Sequence, residues 1–156
     1  MEDDGGRRTR SRVEVYMHFV WTVKYRISRL TPAYERPVHH TLSAKAEQIG
    51  CDVIAVGGLP DHVHMLVRMP GKLSPSDFVR TVKIAATATF NDLRPDGTEP
   101  FHWQDGYGCF SLWRTQIENV TAYVREQKER HAQNRLWDAL EQFEETEPQP
   151  GSLVTK

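Results

Sequence analysis

Two histidines separated by one residue, in the segment PDHVHMLV (60–67), are the first side chains in this sequence that could do chemistry. Successive side chains of a β-strand point to opposite faces, so His62 and His64 would project together, about 7 Å apart along the chain. Two imidazoles with that spacing can bind one divalent metal ion. On the pair alone, two surface histidines on an amphipathic strand remain the simpler interpretation, because a metal ion needs further ligands.

The residues on the opposite side of this strand form an apolar row. They alternate with the histidines and are Val63, Met65, Val67 and Met69. Such a row is typical of a strand face that packs against helices. The histidines are therefore predicted to lie on the other face of the sheet.

The elements that would position the histidines have the order β-α-β-β-α-β, followed by α. Strands are predicted at 13–25, 51–59, 62–69 and 106–113, and helices at 32–50, 74–93 and 115–134, with a further helical segment at 135–143. This order predicts an α+β, ferredoxin-like fold, βαββαβ, in which an antiparallel sheet carries two helices on one face. The third helix could cover the face with the histidines. Many functions use this fold, so it does not decide the activity.

Composition limits the class of protein more than its activity. A chain of 156 residues fits one domain, which we predict at 13–143, between a disordered arm at 1–12 and a disordered acidic tail at 144–156. The 20 basic and 21 acidic residues give a net charge of −1, which is no global sign of nucleic-acid binding. Two cysteines without a CxxC motif argue against a disulfide scaffold. No signal peptide or membrane span is recognisable, so a cytoplasmic location is expected.

The predicted third helix carries a tyrosine and a glutamine with helical spacing. Tyr123 and Gln127 are at i and i+4, one turn apart on the same side of a helix. They lie at the flank of its apolar stripe. Either residue alone would be an ordinary boundary or surface residue.

Four segments, taken together, carry a family resemblance. HFVWTVKYR, PDHVHMLV, FHWQDGYGCFSL and VTAYVREQKERH resemble, in this order, the HUH-type single-tyrosine transposases of small single-stranded-DNA insertion sequences, the IS-two-hundred-like family. The resemblance covers about residues 13–131. It implies that His62 and His64 bind a divalent metal, that Tyr123 is the nucleophile and that Gln127 is a further metal ligand. No catalytic position departs from the family pattern.

The chemistry of these residues agrees with that implication. Tyrosine has a pKa near 10, so it needs help to attack phosphorus. Mg²⁺ or Mn²⁺ at the phosphate oxygens would stabilise the charge that develops. A 5′-phosphotyrosine bond would conserve the energy of the phosphodiester, so that DNA could be rejoined without ATP. The absence of a phosphate-binding P-loop motif fits a reaction that does not use ATP.

The partners expected from the resemblance are hairpin ends of single-stranded DNA and a second copy of the chain. In such a homodimer the tyrosine helix of one chain would complete the metal site of the other. Phosphate contacts are predicted for Lys24 and Arg26 at the end of the first strand, and for Arg80 and Lys83 on the second helix. Ordinary solvated surface is an equal alternative for these four.

Several alternatives stay open. Tyr107, between two glycines, is a distant second candidate for the nucleophile, and His18 on the first strand could lie near the site. His102 and His131 have no partner at ligand spacing. The alternative function is a non-catalytic or domesticated ferredoxin-like protein that binds DNA or RNA hairpins. RNA-binding domains of this topology stack bases on exposed aromatic residues of the sheet, where this chain has His62 and His64 instead.

Overall fold

The computed structural model describes residues 11–133. Most of the predicted N-terminal arm, the segment 135–143 and the acidic tail therefore lie outside the described residues. The elements have the predicted order. They are β1 (Val15–Thr22), α1 (Pro32–Gln48), β2 (Asp52–Leu59), β3 (His62–Met69), α2 (Pro75–Leu93), β4 (Gly108–Leu112), α3 (Ile117–Arg125) and α4 (Gln127–Ala132), with single 3₁₀ turns at Lys24–Arg26 and Arg114–Gln116.

The strands form one antiparallel sheet in the order β2-β3-β1-β4. This order confirms the predicted ferredoxin-like fold. The histidine strand β3 is central, as this topology requires. It pairs with β1 so that His62 lies opposite Thr22 and His64 lies opposite Val20.

One face of the sheet, which we call the core face, packs against α1 and α2. The apolar row predicted on β3 lies there, together with Phe19 and Trp21 of β1, Leu42 of α1, and Phe78 and Val82 of α2. These five side chains are fully buried. The alternation read from the sequence therefore predicted correctly which face of β3 joins the main core.

The predicted ends of the first two helices are also present. The hydroxyl of Ser74 accepts a hydrogen bond from the N–H of Asp77 at 3.2 Å and so caps α2. At the end of α1, Gly50 has a φ of 96°, the left-handed conformation that glycine adopts most readily. The N–H of Cys51 then bonds back to the carbonyl of Ala46 at 3.0 Å.

The first and last strands are shorter than predicted. β1 ends at Thr22, and the following residues turn away, with Tyr25 and Arg26 at φ values of 58° and 53°. The sequence predicted that Lys24 and Arg26 lie on one face at the end of the first strand. They lie instead in the turn that follows it. β4 begins only at Gly108, because Gly106 has a φ of 89° that is incompatible with a strand.

The predicted third helix is not continuous. It divides into α3 and α4 at Glu126, whose φ and ψ are −97° and 20°. At this point the side-chain amide of Gln127 donates a hydrogen bond to the carbonyl of Tyr123 at 3.1 Å. A side chain that bonds to a carbonyl four residues earlier competes with the helix backbone for that acceptor. The periodicity of the sequence does not reveal such a break.

Candidate active site beneath the third helix

The face of the sheet opposite the core face, which we call the site face, is covered by α3. This agrees with the expectation that the third helix covers the histidines. Its apolar packing is modest: the buried residues are Ala55, Leu66, Val120 and Val124, and Ile54, Leu112 and Ile117 pack against them partly buried. The helix approaches β2 closely at Gly57, where a Cβ atom would overlap the carbonyl group of Val124. The glycine thus lets the main chain of α3 rest directly on the strand.

The two histidines and the tyrosine meet under this helix. His62 and His64 are 2% and 0% exposed, and their ring centroids are 5.0 Å apart. The ring of Tyr123 is fully buried and its centroid lies 5.8 Å from that of His64. The predicted metal ligands on β3 and the predicted nucleophile on α3 are therefore neighbours.

Gln127, the predicted third ligand, joins the same site. Its amide nitrogen donates to the carbonyl of Tyr123, which directs its oxygen Oε1 towards His62. The distance from Gln127 Oε1 to His62 Nε2 is 3.3 Å, and Gln127 is 1% exposed. All four predicted site residues thus lie together.

Asp61 determines the orientation of His62. The Nδ1–H of His62 donates to Asp61 Oδ1 at 2.7 Å. This hydrogen bond is the largest cause of a lowered pKa of the Asp61 carboxyl, partly offset by burial. With the proton on Nδ1, a neutral His62 directs the lone pair of Nε2 at the oxygen of Gln127. Two facing lone pairs suit a cation, and a carboxylate behind a histidine is a common support of a metal ligand.

The donor set limits what could be bound. Within residues 11–133 no cluster of three or more His, Cys, Asp or Glu side chains has the arrangement of a metal site. A metal ion held by His62 and His64 would therefore need the amide oxygen of Gln127. Two imidazoles and one amide oxygen fit Mn²⁺ or Mg²⁺, with positions left for phosphate and water.

Two further histidines belong to the site, although sequence reasoning gave them little weight. His18 Nε2 and His64 Nδ1 share a hydrogen bond of 2.8 Å, and His18 is 1% exposed. His131 Nε2 lies 3.0 Å from Gln127 Oε1, and its ring centroid is 5.0 Å from that of His62. The inference that His131 has no partner at ligand spacing was wrong, because Gln127 lies one turn earlier and His62 approaches from β3.

Arg130 also borders the site, and the sequence did not single it out. Its guanidinium lies 5.0 Å from the centroid of the Tyr123 ring, and it forms an ion pair with Glu126 at 3.3 Å. A guanidinium over an aromatic face is attracted by the ring. The ring of the candidate nucleophile is thus held between Arg130 and the histidines.

The four basic residues predicted to contact DNA separate into two pairs. Lys24 and Arg26 lie in the turn after β1, and Arg26 is near enough to Asp61 to help lower the pKa of its carboxyl. Arg80 and Lys83 lie on α2, which packs on the core face.

The pair on α2 has partners within the protein. Arg80 is bonded to Asp77 at 3.1 Å, and the Lys83 ammonium donates to the carbonyls of Gln104 and Gly106 at 2.9 and 2.8 Å. Lys83 therefore braces the loop before β4. Phosphate contacts by all four residues stay a prediction.

The alternative nucleophile Tyr107 lies on the other side of the sheet. It packs against the main core, with its ring centroid 6.3 Å from that of Phe19. Burial raises the pKa of its hydroxyl, which disfavours the phenolate that would attack. Its position separates it from the histidines.

A ferredoxin-like sheet defines the class of protein, together with its buried histidine pair, the tyrosine of α3 that covers the pair and the glutamine at the start of α4. Residues 11–127 match the family described as "Transposase IS200 like". Because this match covers well over half of the chain, the chain belongs to the IS200-like transposase family. The resemblance seen in the sequence is thereby confirmed, and the chain belongs to a class of DNA-processing enzymes.

Individual relatives agree with this assignment. The chain is 26% identical over 117 residues to the ISDra2 transposase TnpA of Deinococcus radiodurans, covering 72% of this chain and 84% of the relative. A crystal structure of a candidate transposase from D. radiodurans R1 matches with a TM-score of 0.59 at 21% identity, over 80% of this chain and 95% of that one. A REP-associated tyrosine transposase bound to a REP hairpin matches with a TM-score of 0.59 at 18% identity, over 78% of this chain and 72% of that one. The two structures support the fold.

Among the described residues, no helix is both long and apolar enough to span a membrane.

Proposed function

We propose that this transposase cuts and rejoins single-stranded DNA through a covalent bond between Tyr123 and a 5′-phosphate, and so moves a small insertion sequence. The observation that carries the proposal is the position of Tyr123. Its ring lies 5.8 Å from that of His64, and its carbonyl holds Gln127, whose oxygen faces His62. The residue that carries the nucleophile thus also holds one candidate metal ligand in place beside the others.

In the proposed step, the phenol oxygen of Tyr123 forms a bond to the scissile phosphorus while the bond from phosphorus to the 3′-oxygen breaks. The phenol loses its proton and the leaving 3′-oxygen gains one, so charge and atoms balance. Attack by another 3′-hydroxyl reverses the step, restores a phosphodiester and frees the tyrosine. The buried His18–His64 pair and Arg130 fix the surroundings of the ring during this exchange.

His62, His64 and Gln127 would hold Mg²⁺ or Mn²⁺. A bound divalent ion would stabilise negative charge on the phosphate oxygens as tyrosine attacks. Asp61 would keep the Nε2 lone pair of His62 directed at the ion, and His18 would do the same for His64. Imidazole ligands favour Mn²⁺ over Mg²⁺.

The substrate is proposed to be single-stranded DNA with hairpin ends. The fold is shared with a transposase that is bound to a REP hairpin, and the charge of Arg26 helps to lower the pKa of the Asp61 carboxyl next to His62. Because Tyr123 is fully buried, α3 must shift before DNA can reach its hydroxyl. Its small apolar cluster makes such a shift less costly than a movement of α1 or α2.

We also propose a homodimer in which the tyrosine helices are exchanged. In the single chain, α3 packs on its own sheet, but only Trp113 and one 3₁₀ turn connect it to β4. A partner's α3 could occupy the same place over Gly57. Mixing a His62→Ala/His64→Ala chain with a Tyr123→Phe chain tests this exchange. A trans dimer regains part of the activity, whereas a site completed within each chain leaves the mixture inactive.

The nucleophile is tested by Tyr123→Phe, which keeps the ring and its packing but removes the attacking oxygen. It should fold normally, bind a hairpin oligonucleotide and form no covalent adduct in denaturing gels. Tyr107→Phe is the matched control and should form the adduct at the wild-type rate. An adduct that persists in Tyr123→Phe contradicts the proposal. A wild-type chain that binds hairpins but forms no adduct with Mn²⁺ or Mg²⁺ supports the alternative, a non-catalytic or domesticated hairpin-binding protein.

A further inference from the structure

A cavity of about 520 Å³ lies beside the turn where β1 leaves the sheet. Lys24, Tyr25 and Ile27 form one side of it, and His102 and the backbone around Pro100 form the other. A cavity of this volume is in the range of pockets that bind a small ligand.

The turn beside the cavity holds a strained conformation. Tyr25 and Arg26 have φ values of 58° and 53°, and neither is a glycine. Such conformations are costly and persist only where the surroundings enforce them, which is common at binding sites. Here the N–H of Tyr25 bonds to the side chain of Gln104 at 3.3 Å, and the N–H of Arg26 bonds to the carbonyl of Val23 at 2.9 Å.

The consequence of this strain is an exposed aromatic ring. Tyr25 is 74% exposed, more than any other large hydrophobic side chain in the described residues. The Lys24 ammonium lies 5.4 Å from its ring centroid. Proteins bind single-stranded nucleic acids with this combination, because a base stacks on the aromatic ring and a phosphate pairs with the cation.

The opposite side of the cavity is fixed. The Arg29 guanidinium donates to the carbonyls of Glu99 and Pro100 at 2.7 and 2.8 Å and lies 5.0 Å from the ring centroid of Phe90. These contacts hold the loop before β4 in place. The cavity therefore exists before a ligand arrives, which lowers the entropic cost of binding.

The cavity adjoins the candidate active site. The N–H of Val23 donates to the carbonyl of Asp61 at 2.8 Å, and Asp61 also holds the His62 ring. A DNA strand whose phosphate reaches His62 would therefore pass close to this turn. Lys24 and Arg26 would meet its phosphates there.

We propose that the cavity at the Lys24–Arg26 turn binds one unpaired nucleobase adjacent to the scissile phosphate, with Tyr25 stacked on the base. The inference rests on the proposed function and adds a site that reads the single-stranded segment rather than the hairpin. Tyr25 acts by binding and has no part in the chemical step. The strained turn holds its ring out of the protein core and ready to stack.

The test uses hairpin oligonucleotides selected for tight binding from a library with random single-stranded flanks. Tyr25→Asn removes the ring but keeps a residue that tolerates the left-handed turn, and Tyr25→Trp keeps an aromatic face. We expect Tyr25→Asn to weaken binding by about 5- to 100-fold, as measured by fluorescence anisotropy, and Tyr25→Trp to bind like the wild type. Circular dichroism confirms that both variants are folded.

An abasic position identifies the nucleotide. One base at a time is removed from the flanks, and one position should weaken binding by the wild type as strongly as Tyr25→Asn does. At that position the two changes together should cost no more than either alone. The inference is overturned if Tyr25→Asn binds like the wild type, or if its loss adds to the loss at every abasic position.

The covalent adduct separates this inference from the function on which it rests. If the proposed function holds and the inference fails, the wild type forms the Tyr123 adduct while Tyr25→Asn binds unchanged. If the proposed function fails, the wild type forms no adduct or the library yields no bound hairpin. A change in oligomeric state of Tyr25→Asn without a change in DNA affinity would assign the cavity to a second copy of the chain and overturn the inference.

Discussion

The two faces of the sheet bury very different side chains. The core face buries apolar residues, including Phe19, Trp21 and Phe78, against two long helices. The site face buries polar ones, among them His18, His62 and His64, beneath the short helix α3. The core face thus stabilises the fold. The site face instead holds polar groups in a fixed arrangement, although these groups would be better hydrated in the unfolded chain.

The polar face is tolerable because its groups bond to one another. Asp61 accepts from His62, His18 and His64 share a hydrogen bond, and Gln127 bonds to the backbone of Tyr123. A buried polar group costs little when it has such a partner and much when it has none. The network therefore fixes one arrangement of the site without adding much to the stability of the fold.

The largest effect predicted from this comparison is on the core face. Phe78→Ala should lower the free energy of unfolding by about 3–5 kcal/mol, because it removes a fully buried ring from a dense core. Chemical denaturation measures this loss. The rate of adduct formation per folded molecule should stay unchanged, since Phe78 lies across the sheet from Tyr123.

The matched control on the same helix is Ile84→Ala. Ile84 is 65% exposed, so the change should alter stability by no more than about 0.5 kcal/mol. A clear fall in the adduct rate of folded Phe78→Ala would contradict the comparison. It would mean that packing on the core face also controls the chemistry on the site face.

The same division explains what the sequence could predict. The alternation in HVHMLVRM assigned Met65 and Val67 to the core and the histidines to the other face, because side-chain direction in a strand is a local property. The capped helices α1 and α2 were predictable for the same reason. The position of Tyr123 and Gln127 beside the histidines needed the family resemblance.

The rest depended on contacts between distant segments. His18 meets His64 only because β1 and β3 pair in one particular register, which no local pattern encodes. Likewise, KYRISR contains no glycine that would announce left-handed residues, so the turn at Tyr25 was read as strand. His131 joins the site only because α4 packs its ring against His62 of β3, a contact between segments distant in the sequence.

The second effect, smaller in energy but specific to the site face, concerns Gly57. In Gly57→Ala the new methyl group overlaps the carbonyl of Val124, so α3 must move away from β2. We expect the adduct rate to fall by about 100-fold, the usual consequence of displacing a catalytic group by roughly 1 Å. Stability should change much less than in Phe78→Ala, because the core face is untouched.

The control for Gly57→Ala is Gly71→Ala. There the atoms nearest to a new methyl group belong to the side chain of Val13, at 3.1 Å, and a side chain can move aside more easily than a helix backbone. This variant should keep the wild-type adduct rate. Full activity of Gly57→Ala would show that the close approach of α3 is not needed for chemistry, which would favour a site completed in some other arrangement.

The smallest predicted effect tests the network itself. Asp61→Ala leaves His62 in place but removes the carboxylate that accepts from its Nδ1–H, with 2.7 Å between Nδ1 and Oδ1. We expect Mn²⁺ affinity, measured by electron paramagnetic resonance without DNA, to fall by about 10- to 100-fold. Asp61→Asn should lose less affinity, since its amide oxygen can still accept from Nδ1.

Asp52→Ala, which removes an exposed carboxylate from β2, is the control and should bind Mn²⁺ like the wild type. Equal affinity in Asp61→Ala and Asp52→Ala would mean that the buried polar face orders His62 without Asp61, and that its histidines are positioned by packing under α3 alone.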